Sequence, residues 1–387
     1  MKILLRCGVI AMVWFCPIVV FGQGPDSPHV SKLDEIIITA SRTAQKRTEA
    51  PIAISTVSAR TIAETKANQL DQLLNKVSGV FMIDLGNEQH EMSIRQPMST
   101  ASVFLYLEDG IPIRTTGVYN HNALLEMNAT AARQIEVIRG PASSLYGAEA
   151  IGGAVNVITV APPAAPAGYV SVQRNNNGYT RADVQAGATF GKWGVIGSAY
   201  YANRTDGPIQ YSDFHKTAAT VRVDGRLSER LQWTTSLTYV NYYSDMYGSL
   251  DSTHFAQHNY QTPYSFTYRK VDALRVRSTL DYRWNDGAAT EVTLAYRNNS
   301  VGQNPSYYIS NSRTNPLLAN GQINDNSFHS FLGLVQHRQD FRFLRSRLIA
   351  GVSADVSPST YWARYIAIQR DPKGNYGSYT ASDSLLS

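Results

Sequence analysis

Two domains of different build are predicted: an α+β domain over residues 50–160, then a transmembrane antiparallel β-barrel over 168–387. Three observations carry this. Residues 133–159, RQIEVIRGPASSLYGAEAIGGAVNVIT, set two short β-rich runs around a glycine-punctuated connection. Composition changes at Ala161-Pro162-Pro163-Ala164-Ala165-Pro166, a stiff linker (161–167) with little capacity for sheet pairing. Of the 23 tyrosines only Tyr106, Tyr119 and Tyr146 precede it, while four of the five tryptophans follow it. Beyond the linker, apolar and polar residues alternate with period two.

In chain order, residues 1–22 read as a secretory signal. Lys2 and Arg6 precede an apolar run from Val9 to Phe21, and Val20-Phe21-Gly22 suits cleavage before Gln23. The run is too short for a membrane span. A lipoprotein signal ending at Cys16 is the alternative, but Trp14 and Phe15 stand where small residues are needed. Cys7 and Cys16 both fall inside this signal, so the mature chain is expected to carry no thiol and no disulfide, as suits an oxidising periplasm or cell surface. Its removal lowers the formal charge from +5 to +3, with 33 basic against 30 acidic residues. Nothing in that balance points to nucleic acid.

Residues 23–49 form an N-terminal segment, polar at first, containing Glu35-Ile36-Ile37-Ile38-Thr39-Ala40. Such a β-branched run is either the first strand of the domain or an exposed strand held for a partner. Residues 50–83 read as strand, helix, strand. Ile52 to Val57 alternates; Asn68 and Asp71 cap a helix whose Leu70, Leu73, Leu74 and Val77 share one face, and Gly79 stops it. Polar loops are expected at 84–101 and 114–122, around a strand and Asp-Gly turn in Val103 to Ile113.

Taken as a string, residues 133–159 resemble the end of the plug domain of TonB-dependent outer-membrane receptors, where an IEVIRGP turn precedes a YG and a GGAVNVIT strand. LDQLLNKVSGVFM and VFLYLEDGIPI resemble other parts of that plug. By this resemblance Glu35, Ile36, Ile37, Ile38, Thr39 and Ala40 are similar to the TonB box, the strand that TonB would capture by β-addition. The resemblance also implies that the two polar loops face outward and touch the ligand, which makes Arg95, Gln96, Tyr119, Asn120 and His121 candidates. Each of these also suits a solvated loop. Glu136 and Arg139 resemble charged plug positions that dock against the barrel wall. One departure stands out: Ile94-Arg95-Gln96 replaces the usual Ile-Arg-Gly.

The barrel prediction rests on alternation. Ala182, Val184, Ala186 and Phe190 alternate with Arg181, Asp183, Gln185 and Thr189; Leu274, Val276, Leu280 and Trp284 alternate with Arg275, Arg277, Thr279 and Asp281. A water-soluble sandwich inverts the same pattern, so the connections must decide. Short turns near 191–194, 228–230, 285–288 and 340–343 alternate with polar loops near 203–216, 244–267 and 301–326, as in outer-membrane barrels. About nine strands are expected between 168 and 357, against roughly 22 in the family's barrel. The chain therefore reads as the N-terminal part of a longer barrel, with the stretch after Ser357 an outer loop.

No catalytic constellation is visible, no cofactor is expected, and no metal site is assigned. His254 and His258 fall four apart, but in a loop with no further ligand in sight. The resemblance implies an energised receptor in the outer membrane, in contact with its lipid and partnered by TonB, whose cargo is a ferric siderophore or similar iron or cobalt chelate. Haem or cobalamin uptake is the alternative, as is a truncated, non-functional piece of such a receptor. A passive porin or an outer-membrane enzyme fits less well.

Overall fold

The computed structural model describes residues 36, 37, 39, 42, 45–98, 101–118 and 122–382. The expected signal, and Glu35, Ile38, Ala40, Tyr119, Asn120 and His121, lie outside the described residues.

The first domain opens with β1 (Ile36–Ile37) paired antiparallel to β2 (Gln45–Lys46). Then come β3 (Ile54–Val57), α1 (Ala59–Thr65), α2 (Asp71–Leu74), β4 (Val80–Gly86), β5 (Gln89–Ile94), β6 (Phe104–Glu108), β7 (Ile111–Pro112), β8 (Ala132–Ile138), α3 (Ser143–Tyr146) and β9 (Gly153–Thr159). Five strands form one sheet in the order β3-β8-β9-β6-β7, with β6 and β9 parallel and the other pairs antiparallel. β4 and β5 form a separate hairpin.

The five-stranded sheet is buried on both faces, which explains the continuous apolar run of β9. On one side Val155 and Val157 join Leu73, Leu74, Met82, Met92, Phe104 and Val137. On the other, Ala154 joins Ile37, Ile54, Leu105, Leu107, Ile138 and Tyr146. The paired glycines before β9 permit close approach. A Cβ on Gly153, where φ is +155°, would sit 2.4 Å from the Ile138 carbonyl oxygen, and one on Gly152 would sit 2.6 Å from the Phe104 ring.

Two sequence expectations change here. The helix expected from Asn68 is the single turn α2, with Leu70 at its N-cap; Gln72 Oε1 accepts the Asn68 amide instead. Its apolar stripe is nevertheless buried, because Leu70 and Val77 flank that turn. The helix α1 was not foreseen, though Ser58 caps it by accepting the Thr61 amide at 3.2 Å.

The second domain is a twelve-stranded antiparallel sheet. It comprises β10 (Ala167–Arg174), β11 (Tyr179–Phe190), β12 (Trp193–Arg204), β13 (Phe214–Arg226), β14 (Leu231–Asp245), β15 (Tyr268–Asn285), β16 (Ala288–Asn304), β17 (Ser310–Asn311), β18 (Leu318–Asp340), β19 (Arg347–Val356), β20 (Ser359–Arg370) and β21 (Tyr376–Ala381). A short helix α4 (Ser252–Ala256) lies in the loop after β14. With the two-residue β17 set aside, nine strands lie between 167 and 356, as the alternation requires. The sheet curls around the first domain, its inward face burying Ser236, Thr238, Val240 and Tyr242 while Leu237 and Tyr239 stay exposed. A soluble sandwich has the opposite polarity.

Outward aromatics mark two levels. Trp193 and Trp233 meet edge to face at the short-turn end, and His215, Tyr243 and Tyr268 stack toward the long-loop end. Trp233 and Tyr243 are ten residues apart on β14, about 34 Å along the strand and roughly 26 Å along the axis of a barrel tilted by about 40°. That matches the apolar band of about 25 Å between aromatic girdles.

The tail departs from expectation. The described stretch after Ser357 is a hairpin of two strands, β20 and β21, not a loop. β18 is 23 residues long; its second half pairs with β19 and its first half with β20, both running the same way. β19 and β20 are thus one line broken at Pro358, whose missing amide interrupts the ladder. The expected loop 301–326 likewise shrinks to 305–317, because β16 and β18 run on beyond the apolar band. Polar Asn299, Asn304 and Asn324 are buried there beside small Ala319, so the apolar–polar contrast fades and the residues read as loop.

Candidate functional site

At the long-loop end, the hairpin β4–β5 touches the sheet through its tip. The expected loop 84–101 is this tip plus β5. Asn87 and Glu88 both have positive φ, +56° and +67°, giving the two-residue turn that favours Asn-Gly. Glu88 takes the glycine position at a steric cost, and its carboxylate forms a buried ion pair with Lys216 of β13. Asn87 Nδ2 donates to Ser244 Oγ at 2.6 Å and to the Ser212 carbonyl at 3.2 Å, and Tyr242 donates its hydroxyl to the Asn87 carbonyl. Gly86 at φ +103° admits Tyr247; a Cβ there would lie 2.2 Å from its hydroxyl oxygen.

Beside this tip opens a cavity of about 450 Å³. Leu85, Gln89 and Glu91 form its floor, and Tyr247, Tyr264, Arg269 and Tyr307 rise around it from the sheet's upper ends. Arg269 is buried and its guanidinium donates to Gln303 Oε1 at 2.8 and 3.0 Å. Aromatic rings with a fixed cation suit a flat or anionic small molecule. Sequence reasoning missed these residues, since a tyrosine in a long polar loop carries no periodic signal.

Two titratable groups sit behind the tip as cross-strand partners, Asp84 and His90. His90 is fully buried, its Nδ1 donates to the Glu88 carbonyl at 2.9 Å, and burial lowers its pKa to about 4. Asp84 accepts from Gln69 Nε2 at 2.8 Å; burial, then the charges of Asp71 and Glu88, push it up to about 6.

Between the domains runs a second layer of charge. Arg275 Nη2 lies 2.9 Å from Glu108, Arg277 Nη2 lies 2.8 Å from Asp109, and Arg297 Nη2 donates to Asp355 at 2.5 Å while Nη1 reaches the Pro112 and Arg114 carbonyls. Arg114 and Glu126 form a buried pair at 2.5 Å, with Arg275 donating to the Glu126 carbonyl. Arg222 Nη1 donates to Thr159 Oγ1 at 3.1 Å.

At the short-turn end, the first domain carries its N-terminal strand. Ile37 is buried, and Thr39 is enclosed by Glu136, Asn156 and Tyr146. Arg42 donates to the Leu145 carbonyl and lies 4.3 Å over the Tyr146 ring. A cavity of about 430 Å³ opens beside them, with Arg42 and Tyr146 facing Asp281, Arg283 and Glu291 of β15 and β16.

The remaining sequence candidates divide. Arg95, with φ +55°, and Gln96 are exposed just past the end of β5, and Arg95 is seven residues past Glu88 and so about 23 Å from the tip. Arg95 reaches the Arg139 carbonyl at 3.5 Å, and Arg139 Nη1 donates to the Ser78 carbonyl at 3.0 Å. The structure therefore brings Arg95 to Arg139 rather than to the outer cavity. Glu136, expected at the wall, points into its own domain and accepts from Thr39, because its place in β8 faces the N-terminal strand. The plug carboxylates that do meet wall cations include Glu88, Glu108, Asp109 and Glu126. His254 and His258 separate: His254 shares a hydrogen bond with Asp251 at 2.7 Å, and His258 lies past the end of α4 beside Tyr260. Among the described residues no group of three or more His, Cys, Asp or Glu is arranged to hold a metal ion.

Comparison with known proteins points one way. A family model described as TonB-dependent Receptor Plug Domain matches residues 46–154. The vitamin B12 transporter BtuB of Vibrio vulnificus is 28% identical over 182 residues, which are 46% of this chain and 29% of that protein. The ferripyoverdine receptor of the outer membrane of Pseudomonas aeruginosa shares the fold with a TM-score of 0.68 at 15% identity, over 89% of this chain and 47% of that one. The ferric citrate transporter FecA, in its unliganded form, does so with a TM-score of 0.69 at 16% identity, over 87% and 50%. The chain thus spans about half the length of these solved structures, and their likeness speaks for the fold.

Proposed function

The chain belongs to the TonB-dependent receptors, whose plug domain it carries against a barrel-type sheet, and from this premise we propose that it serves energised uptake of a scarce ligand across the outer membrane. The ligand we favour is a ferric siderophore. The observation that carries this reading is the placing of two features at opposite ends of the plug. A 450 Å³ cavity walled by Tyr247, Tyr264, Tyr307 and Arg269 lies at the long-loop end. Ile36, Ile37 and Thr39, the described residues of the segment 35–40, lie at the short-turn end. A ligand bound outside and a handle grasped inside are what energised import requires. Aromatic walls and an arginine suit a flat, anionic ferric chelate.

In this reading the protein is exported by residues 1–22 and seated in the outer membrane, and TonB captures residues 35–40 by strand addition. Cobalamin is the second cargo, favoured by the similarity to a vitamin B12 transporter. The test is growth and radiolabelled uptake in a strain with and without the gene, supplied with single iron or cobalamin sources. Loss of ferric siderophore uptake on deletion is the expected result; loss of cobalamin uptake alone moves the cargo, and no loss of either overturns the proposal. Ile36→Pro removes one backbone donor from the captured strand and should abolish uptake while ligand binding persists.

A further inference from the structure

The turn 341–346, between β18 and β19, is tightly built and yet exposes its apolar side chains. The Phe341 amide donates to the Ser346 carbonyl at 2.8 Å, and the Ser346 amide and hydroxyl both donate to the Phe343 carbonyl, at 3.1 and 2.8 Å. At its neck Arg347 donates to Asp340 through Nε at 2.5 Å and through Nη2 at 3.2 Å. Leu344 stands at φ +51°, ψ +20°, a left-handed conformation that glycine or asparagine adopts more readily. A turn suited only to water and to an easy backbone would carry one of those residues. Instead Phe343 is 78% exposed and Leu344 82%, more than any other large apolar side chain among the described residues. Phe341 is half-exposed beside them. Exposed apolar residues are ordinary when scattered singly; three in one strained turn point to something that covers them.

Two features identify the cover. The Asp340 amide donates to the Gly287 carbonyl at 2.7 Å, which seats the turn beside the one between β15 and β16. Trp284, at the end of β15, is exposed and continues the short-turn aromatic level of Trp193 and Trp233. The turn is thus continuous with the lipid-facing belt. The second feature is charge. Asp340 is taken by Arg347, with Arg338 Nε 3.9 Å away. Arg342 is exposed, and its side chain makes no ion pair or hydrogen bond among the described residues. An unpaired guanidinium between two phenylalanines matches a phosphate whose acyl chains run alongside. We propose that the turn 341–346 is a lipid site, holding the phosphate of an anionic glycerophospholipid on Arg342 and its acyl chains against Phe343 and Leu344. This rests on the reading above that the sheet is seated in the outer membrane, where the short turns meet the periplasmic leaflet. The left-handed Leu344 has a use on this account, since apolar contact with lipid offsets a backbone cost that glycine would avoid.

The test places bimane on a single introduced cysteine of the full-length receptor, in a cysteine-free background. The receptor is folded into liposomes of phosphatidylcholine and phosphatidylglycerol, one or the other carrying a nitroxide quencher. Bimane on Leu344→Cys should be quenched, with phosphatidylglycerol preferred about fivefold, the worth of one basic residue at an anionic surface. Arg342→Gln should bring that ratio close to one while the receptor stays folded by heat-modifiable migration. Bimane on Asp286→Cys, in the neighbouring turn, is the water-facing reference. Quenching at 344 no stronger than at 286, or a lipid ratio of one in the parent, overturns the site. Bimane open to water in liposomes but shielded in whole cell envelopes assigns the turn to a periplasmic protein and overturns it equally. A label-free arm uses Leu344→Asn, which relieves the backbone and removes the apolar group. Its urea midpoint in phosphatidylglycerol liposomes should fall; no fall, or a rise, means that Leu344 serves the turn alone and overturns the proposal. Failure of the underlying reading looks different. If the sheet does not sit in lipid, bimane on Leu237→Cys, on the outward face of β14, also escapes a nitroxide set deep in the acyl chains. A failed site leaves Leu237→Cys quenched and Leu344→Cys bright.

Discussion

The plug and the sheet around it bury opposite kinds of residue. In the plug, leucine, isoleucine and valine turn inward on both faces of one sheet. In the outer sheet, Val170, Val172, Leu294 and Val352 stay on the outside, while Arg275, Arg297 and Lys216 are buried against the plug. The same chain thus folds by two rules, hydrophobic collapse in water and apolar display toward lipid. What joins the two is charge. Lys216, Arg275 and Arg277 of the wall meet Glu88, Glu108 and Asp109 of the plug, and Arg297 donates to plug carbonyls, so the interface can be held firmly and still be solvated when it opens.

The sharpest way to break that arrangement is to remove one side of a buried pair. Glu126→Ala leaves Arg114 and Arg275 facing each other in a closed space and should cost about 3–5 kcal/mol, read as a lowered unfolding transition of the full receptor. Next comes a matched pair of truncations. Leu74→Ala in the plug core should cost about 2–5 kcal/mol, whereas Leu237→Ala on the exposed face of β14 should cost well under half of that. Leu237→Arg closes the gap, since a charge between the two aromatic levels costs about 2–4 kcal/mol in lipid; folding into liposomes at increasing urea measures all three. Equal costs for Leu74→Ala and Leu237→Ala would deny that the two regions bury by different rules.

The smallest effect is a compensated one. His90, lowered to about 4 from an ordinary 6.5, lets the unfolded chain bind the extra proton between those values, so it removes stability as pH falls through that window. Asp84, raised to about 6 from 3.8, does the reverse: the folded chain holds the extra proton, and stability grows as pH falls through 6. Each reaches about 2–3 kcal/mol at full extent, and the two nearly cancel. Asp84→Asn should therefore expose a loss of stability between pH 6.5 and 4.5 that the parent hides, measurable by urea unfolding across that range.

How much of this was legible depended on which solvent each residue meets. Arg275 and Arg277 alternate with Leu274 and Val276 because one face meets the plug and the other lipid, and that contrast survives in one dimension. At the start of β18, Asn320, Gln322 and Asn324 alternate only with Ala319, Gly321 and Ile323, a contrast too weak among so many polar residues, and the strand disappeared into an expected loop. β20 was lost in the same way, behind a proline. The plug's tip hid because Glu88 occupies a turn position that usually announces itself with glycine; only the distant Lys216 explains it. Glu136 and Arg139 were expected at the wall only because they resemble charged positions of the family's plug. Sequence could not say that the partner of Glu136 was Thr39, some 97 residues back along the chain.

The strand order of the plug carries a mechanical consequence. β3 is one edge of the five-stranded sheet and the strand of that sheet nearest in sequence to Ile36, while the interior strands β9 and β6 end at Thr159 and Glu108, where Arg222 and Arg275 grip them. A tensile load applied at the N-terminus would first strip Thr39 from its cage, then peel β3 from β8 beginning at Ile54. The central strands, riveted to the wall, would feel the force last. Such a body yields in stages from the N-terminus inward, while the anchored half keeps its shape.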